Sequence, residues 1–259
     1  MNKYAINSGI LLNLLKYAKN VCDEYCIVSN ETGWSIKLVD PAHVVMLELE
    51  ISQATFESFS YVPDTDNKLI GIDGGRLIEI TTALRRLYKG SAHSVIDLAT
   101  DYEKHRLVVD MHDAHRETVM REGLIKSWVI PKIAELTNMV HIKDVDMKCI
   151  INCVKHIRTF SNNMVLCIEK IGKDNILVIS AENETDSFRM PVAFVSRNIE
   201  HVGIRSMYSL DMWHDTFRGI SPKRVDLFLG SDFPVELRWK MQDDNISCKW
   251  FCAPRIEND

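Results

Sequence analysis

The stretch GWSIKLVDPAHVVMLELEI, residues 33–51, holds two β-rich runs on either side of Asp40 and Pro41. Aspartate followed by proline is turn chemistry, because the carboxylate can bond nearby backbone N–H groups and proline has none to give to a ladder. Upstream, YCIVSN runs into the turn Asn30, Glu31, Thr32, Gly33. Three runs joined by short polar turns read as an antiparallel meander.

Working outward, SGILLNLLKYAKNV (8–21) places Ile10, Leu11, Leu14, Leu15, Ala18 and Val21 at helical spacing. A second helix is expected from about Gly75 to Lys89, with Leu77, Ile80, Leu84 and Leu87 on its apolar face, followed by the strands SVIDLAT and HRLVVDM. The second half repeats this order. DMKCIINCVKHIRTF is a helix, NMVLCIEKIGKDNILVISAE a hairpin, LDMWHDTFRGISP a helix, and RVDLFLG and PVELRWKM are strands. Val95 and Val225 hold the same place in the two copies, 130 residues apart. The reading is an α+β chain of two similar domains, 1–115 and 138–259. They are linked by 116–137, a segment of mixed character without a clean period.

Net charge is −5, which by itself argues against nucleic acid. Its distribution argues the other way. The four helical segments 8–21, 74–90, 146–160 and 210–224 carry +2, +3, +2 and +1, so the remainder holds −13. Basic helices set side by side would hold a phosphate backbone by charge, without reading sequence.

The composition, 46% hydrophobic and 26% charged, is that of a packed protein. No stretch approaches the roughly 20 apolar residues of a membrane span, and the N-terminus shows no signal-peptide pattern. A soluble protein of the cytosol or nucleus is expected. Seven cysteines, an odd number, fit a reducing compartment. The spacing C-x-x-x-C occurs at Cys22/Cys26, Cys149/Cys153 and Cys248/Cys252; Cys149 and Cys153 lie in a helical pattern and Cys248 and Cys252 in a strand pattern, so buried thiols are expected rather than a zinc site. His112 and His115 have metal-like spacing without a completing cluster. GIDGGR lacks the phosphate-loop pattern and reads as a helix start. No catalytic constellation, metal set or cofactor is expected.

The motifs GWSIKLVDPAHVVMLELEI, SMYSLDM, SDFPVELRWKM and the C-terminal APRIEND, in this order and spacing, resemble the sliding clamps of archaeal and eukaryotic replication, the proliferating cell nuclear antigen family. The resemblance covers essentially the whole chain. It implies the DNA clamp fold: a ring of three subunits with antiparallel sheets outside and four helices per subunit lining the hole. A homotrimer is expected, with a heterotrimer of related chains as the alternative. The ring would close by pairing a strand near Ala114–Met120 with one near Glu184–Met190 of the neighbour.

The resemblance further implies a processivity factor for DNA polymerase that encircles double-stranded DNA. It would also dock the clamp loader, flap endonuclease and DNA ligase through short peptide motifs, in the cytoplasm of an archaeon or the nucleus of a eukaryote. Lys19, Arg86, Lys89, Lys155 and Arg218 lie at or near positions basic in the family's helices, and helical spacing adds Lys16 and Lys148. The docking groove would take Phe251, Ala253 and Pro254 from the tail, Pro234 from the DFPVEL turn, Val39, His43 and Met46 from the Asp40 region, and Val129, Ile130 and Pro131 from the connector. Departures from the family are a longer segment between Ile72 and Val95, Trp128 in the connector and an acidic Glu79 on a channel helix. A ring-shaped adaptor outside processive replication is the nearer alternative function, and an enzyme acting on DNA the remoter one.

Overall fold

The structure, a computed structural model, describes residues 2–63, 69–89, 94–113, 115–125, 131–132, 136, 139–195 and 203–255. It divides into two compact units, Met1–Val39 with Leu47–Lys132 and Lys240–Cys248, and Asp40–Met46 with Ile133–Trp239 and Lys249–Asp259.

The first half of the chain runs β1 (Lys3–Asn7), α1 (Ser8–Lys19), β2 (Glu24–Asn30), β3 (Gly33–Val39), β4 (Val45–Ser52), a 3-10 turn (Gln53–Thr55), β5 (Phe56–Ser60), β6 (Leu69–Asp73), α2 (Gly74–Leu87), β7 (Val95–Asp101), β8 (Arg106–His112) and β9 (Glu117–Gly123). One sheet has the order β5-β1-β7-β8-β9, and β6-β2-β3-β4 lie in a second. The second half runs β10 (Val140–Asp146), α3 (Met147–Ile157), β11 (Asn163–Ile171), β12 (Asp174–Glu182), β13 (Ser187–Val195), β14 (Arg205–Ser209), α4 (Leu210–Thr216), β15 (Arg224–Leu229), β16 (Val235–Met241) and β17 (Ile246–Cys252). Here β13-β12-β11-β14 form one sheet and β10-β15-β16-β17 lie in order in another. The element order expected from the sequence is therefore found twice, with four α-helices among the described residues.

Each helix starts where a strand ends. Asn7 accepts hydrogen bonds from the Gly9 and Ile10 N–H groups, Asp73 from Arg76 and Asp146 from Lys148, satisfying donors that lack an intrahelical partner. Gly33 is required between β2 and β3: its φ is +142°, and a Cβ there would lie 2.0 Å from the Ile51 carbonyl oxygen.

Both units centre on an aromatic cluster. In unit one Tyr4, Trp34, Phe56 and Phe59 meet edge-on or tilted, and the Tyr4 hydroxyl donates to Ser29 Oγ at 2.8 Å. In unit two Trp213, Phe217, Trp239 and Trp250 do the same, with Trp250 Nε1 donating to Thr216 Oγ1 at 3.3 Å. Such rings contribute both buried area and pair geometry.

Three expectations are corrected. The expected domain bounds give 117–123 to the connector, but these residues form β9, the edge strand expected near Ala114–Met120, hydrogen-bonded to β8 from Glu117 to Gly123. Leu87, expected inward, is 55% exposed, because Tyr88 fills the core at the end of α2 and carries the Arg116 guanidinium 4.8 Å above its ring. The last helix is half as long as the segment 210–224: it ends at Thr216, and Gly219 turns the chain at φ +74°. Its bounds exclude Arg218, Lys223 and Arg224, so α4 carries two aspartates and no lysine or arginine. The positive charge expected on all four helices is absent from this one.

Candidate functional site

The helices present the basic side chains in stripes. In α1, Lys16 and Lys19 lie three residues apart on the face opposite buried Leu11, Leu14, Leu15 and Ala18. In α2, Arg85 and Arg86 are exposed in the last turn, and Lys89 is exposed just beyond it. Lys19 pairs with Asp23 at 3.0 Å, whereas Lys16, Arg85, Arg86 and Lys89 form no ion pair among the described residues. Arg76 is occupied by Glu79 at 3.0 Å and Glu122 at 3.4 Å.

In α3, Lys148 and Lys155 are exposed seven residues apart, two turns along one face. On α4 the matching stripe is Asp211 and Asp215, with Arg218 one turn further on, and Asp211 holds Arg158 of the α3 C-terminus at 3.0 Å. Lys155, His214 and Arg218 rim a cavity of about 390 Å³ floored by Ile151, Val154, Phe217 and Ile220. All seven cations named from the sequence are exposed. The structure adds Arg85, which the Arg85-Arg86 doublet already signals.

The second region lies in unit two and is organised by Asp40. Its carboxylate accepts from the N–H groups of Ala42, Val44 and Val45 at 3.0, 2.7 and 2.6 Å, and its own N–H donates to the Val45 carbonyl. This locks the loop and lets exposed His43 adopt φ 56°. The tail runs beside it. Ala253 N–H donates to Val44 O and Arg255 N–H to Met207 O, each at 2.8 Å, and Arg255 Nη1 reaches Asn163 Oδ1 at 2.7 Å. On β14, the Tyr208 hydroxyl donates to Phe233 O and the Ser206 hydroxyl to Gly230 O, both at 2.7 Å.

The Asp40 loop, tail and 230–234 turn are thus tied together through β14 and the tail by backbone and side-chain hydrogen bonds within unit two. Met46, Pro234, Ala253 and Pro254 are half-buried, and Phe251 is only 7% exposed. Phe233 is the large apolar side chain that sequence reading missed: it is 41% exposed, beside Pro234. Its signal was an aromatic residue inside a polar turn. Val39 ends β3 half-buried, Pro131 is half-buried, and Val129 and Ile130 lie outside the described residues, as does Ala114 of the expected joint.

Burial pushes the thiols of Cys26 and Cys167 up to about 11 and those of Cys153 and Cys252 to about 12, and that of Cys248 higher still. Among the described residues, no group of three or more His, Cys, Asp or Glu side chains is arranged to hold a metal ion. No described helix is long and apolar enough to cross a membrane.

No family model matches the chain. A DNA polymerase sliding clamp of Methanothrix thermoacetophila is 25% identical over 265 residues, covering all of both chains, and one of Halobacterium salinarum is 25% identical over 261, again covering both fully. Among solved structures, proliferating cell nuclear antigen from Thermococcus kodakaraensis superposes with a TM-score of 0.82 at 16% identity, over 98% of this chain and all of that one. The A. fulgidus protein, solved with the C-terminal region of FEN-1 bound, gives 0.79 at 19% identity with full coverage of both. From end to end, in sequence and in fold, the chain resembles the DNA polymerase sliding clamps of the proliferating cell nuclear antigen family.

Proposed function

We propose that this chain is a sliding clamp: a ring of three subunits around double-stranded DNA that keeps a replicative polymerase on its template and docks replication and repair proteins. The observation that carries the reading is a pair of open sheet edges on a duplicated fold. β9 ends one sheet and β13 ends another, with exposed Val119 on the first and exposed Met190 on the second. Exposed edges invite pairing with another chain. A head-to-tail joint between two different edges closes into a ring when the rotation allows. On this reading the chain through β9 and the chain from β10 onward are the two clamp domains, with the connector between them, and the four helices line the hole. The cytoplasm of an archaeal cell, or a eukaryotic nucleus, is the compartment.

The cations of α1, α2 and α3 would face the phosphate backbone through water and counterions, giving contact that depends on salt and ignores sequence. The Asp40 loop, tail and 230–234 turn of unit two would take a short peptide from polymerase, clamp loader, flap endonuclease or ligase. The peptide would present a glutamine followed by aliphatic and aromatic anchors, with Phe233 exposed at the rim and Phe251 in the wall. An exposed apolar patch among polar residues suits that role.

Light scattering across a concentration series tests the assembly. A mass of three subunits, alone or mixed with related chains, is expected. A monomer at every concentration, unrescued by any related chain, overturns the ring.

A further inference from the structure

The two helix pairs differ in sign. α1 and α2 contain two lysines, three arginines and one glutamate, while α3 and α4 contain two lysines and two aspartates. The aspartates are not hidden: the side chains of Asp211 and Asp215 are 55% and 62% exposed, four residues apart on one face of α4. Asp211 also engages Arg158 at 3.0 Å, a cation that stands one residue past α3.

We infer that Asp211 and Asp215 are counter-charges that stop the α3/α4 face from gripping the phosphate backbone, Asp211 doing so in part by holding Arg158. This rests on the clamp reading, in which the helices face DNA. A surface that must let a duplex slide is served by a few loose cations and harmed by many. An exposed carboxylate one turn before Arg218, on the helix packed beside that of Lys155, lowers the local potential without altering the fold. A structural role for Asp211 also exists, since a negative charge in the first turn of a helix is attracted by the positive end of the macrodipole, and Ser209 makes no side-chain capping bond there. The two roles separate in the salt dependence of binding, which helix stability does not move.

The test measures binding of the full chain, in the assembly it forms, to a short linear duplex by fluorescence anisotropy over a potassium chloride series. Asp211→Asn should bind roughly threefold more tightly near physiological salt and steepen the log–log salt slope by about 0.9, one added phosphate contact. Combining it with Arg158→Ala should return the slope to the unmodified value. Asp215→Asn should tighten binding without needing Arg158. Circular dichroism melts verify that each variant folds, and Asp211→Glu, which keeps the charge, should bind like the parent. An unchanged slope and affinity in both asparagine variants, with the parent binding normally, overturns the inference and leaves the clamp reading intact. A parent chain whose duplex binding is absent, or is sequence-specific and insensitive to salt, overturns both.

Discussion

Unit one and unit two are built on one plan and have diverged at different elements. On the helices, α1 and α2 expose Lys16, Arg85 and Arg86, with Lys89 just past α2, without ion pairs among the described residues, while α4 interrupts the basic face of α3 with Asp211 and Asp215. At the sheet edges the divergence runs the other way. β6 is covered by a single bridge from Gly71 to Ile125, so close that a Cβ on Gly71 would lie 2.5 Å from the Ile125 carbonyl. Its counterpart β14 is bordered by the tail, held at Arg255, and by the turn that exposes Phe233. A duplicated fold can thus separate two jobs. Helix faces and strand edges depend on different residues, so one copy can specialise in charge and the other in apolar recognition without disturbing either core.

Charge reversal should break this comparison most visibly. Arg85→Glu, Arg86→Glu and Lys89→Glu together should weaken binding to a short duplex about 100-fold near physiological salt. Lys148→Glu with Lys155→Glu should cost clearly less, and equal losses would mean that the two faces share the load. Next in size is the groove. Phe251→Ala should weaken an anchored peptide by about 2 kcal/mol or more, a tenfold or greater loss in a calorimetric titration. It should leave the assembly mass unchanged, whereas Val119→Glu, on the edge of β9, should lower the mass and spare peptide binding.

A smaller contrast lies in the turns. Asp40→Ala strips a charged acceptor from three backbone N–H groups and should cost about 2 kcal/mol in urea unfolding. Asn183, which caps the β12–β13 turn by accepting from Thr185 and Asp186 N–H groups, is neutral, and its alanine variant should cost about 1 kcal/mol. The finest contrast is chemical. Three cysteines are partly exposed, and a thiol reagent at mildly alkaline pH should label Cys22 in unit one and Cys149 in unit two first, because burial and the Glu169 carboxylate push the third, Cys167, up to about 11. Burial holds Cys26, Cys153, Cys248 and Cys252 above the range where thiolate forms. Labelling of those four at comparable rates would show that the cores open readily.

What the sequence determined by itself was whatever a local pattern encodes. The helix at 8–19 follows from apolar spacing, the meander from Asn30 to Gly33 and Asp40-Pro41, and the duplication from the matched order of elements. The burial of Cys153, Cys248 and Cys252 follows from their place in those patterns, whereas Cys22 and Cys149, read as buried with them, are partly exposed. The tertiary structure alone decided the rest. β9 escapes periodicity because it is an edge strand whose residues alternate between exposed and half-buried, so no apolar face marks it. Leu87 points outward because Tyr88 reached the core first, a competition between neighbours that spacing cannot rank. The sign of α4 depended on where the helix stops, which the turn at Gly219 settles, and the convergence of Val44 and Met207 on one tail joins residues far apart in the chain. Periodicity reports which side of one element meets a core. Which elements then meet one another is fixed by packing and by the pairing of backbone groups across long separations, and no single segment carries that information.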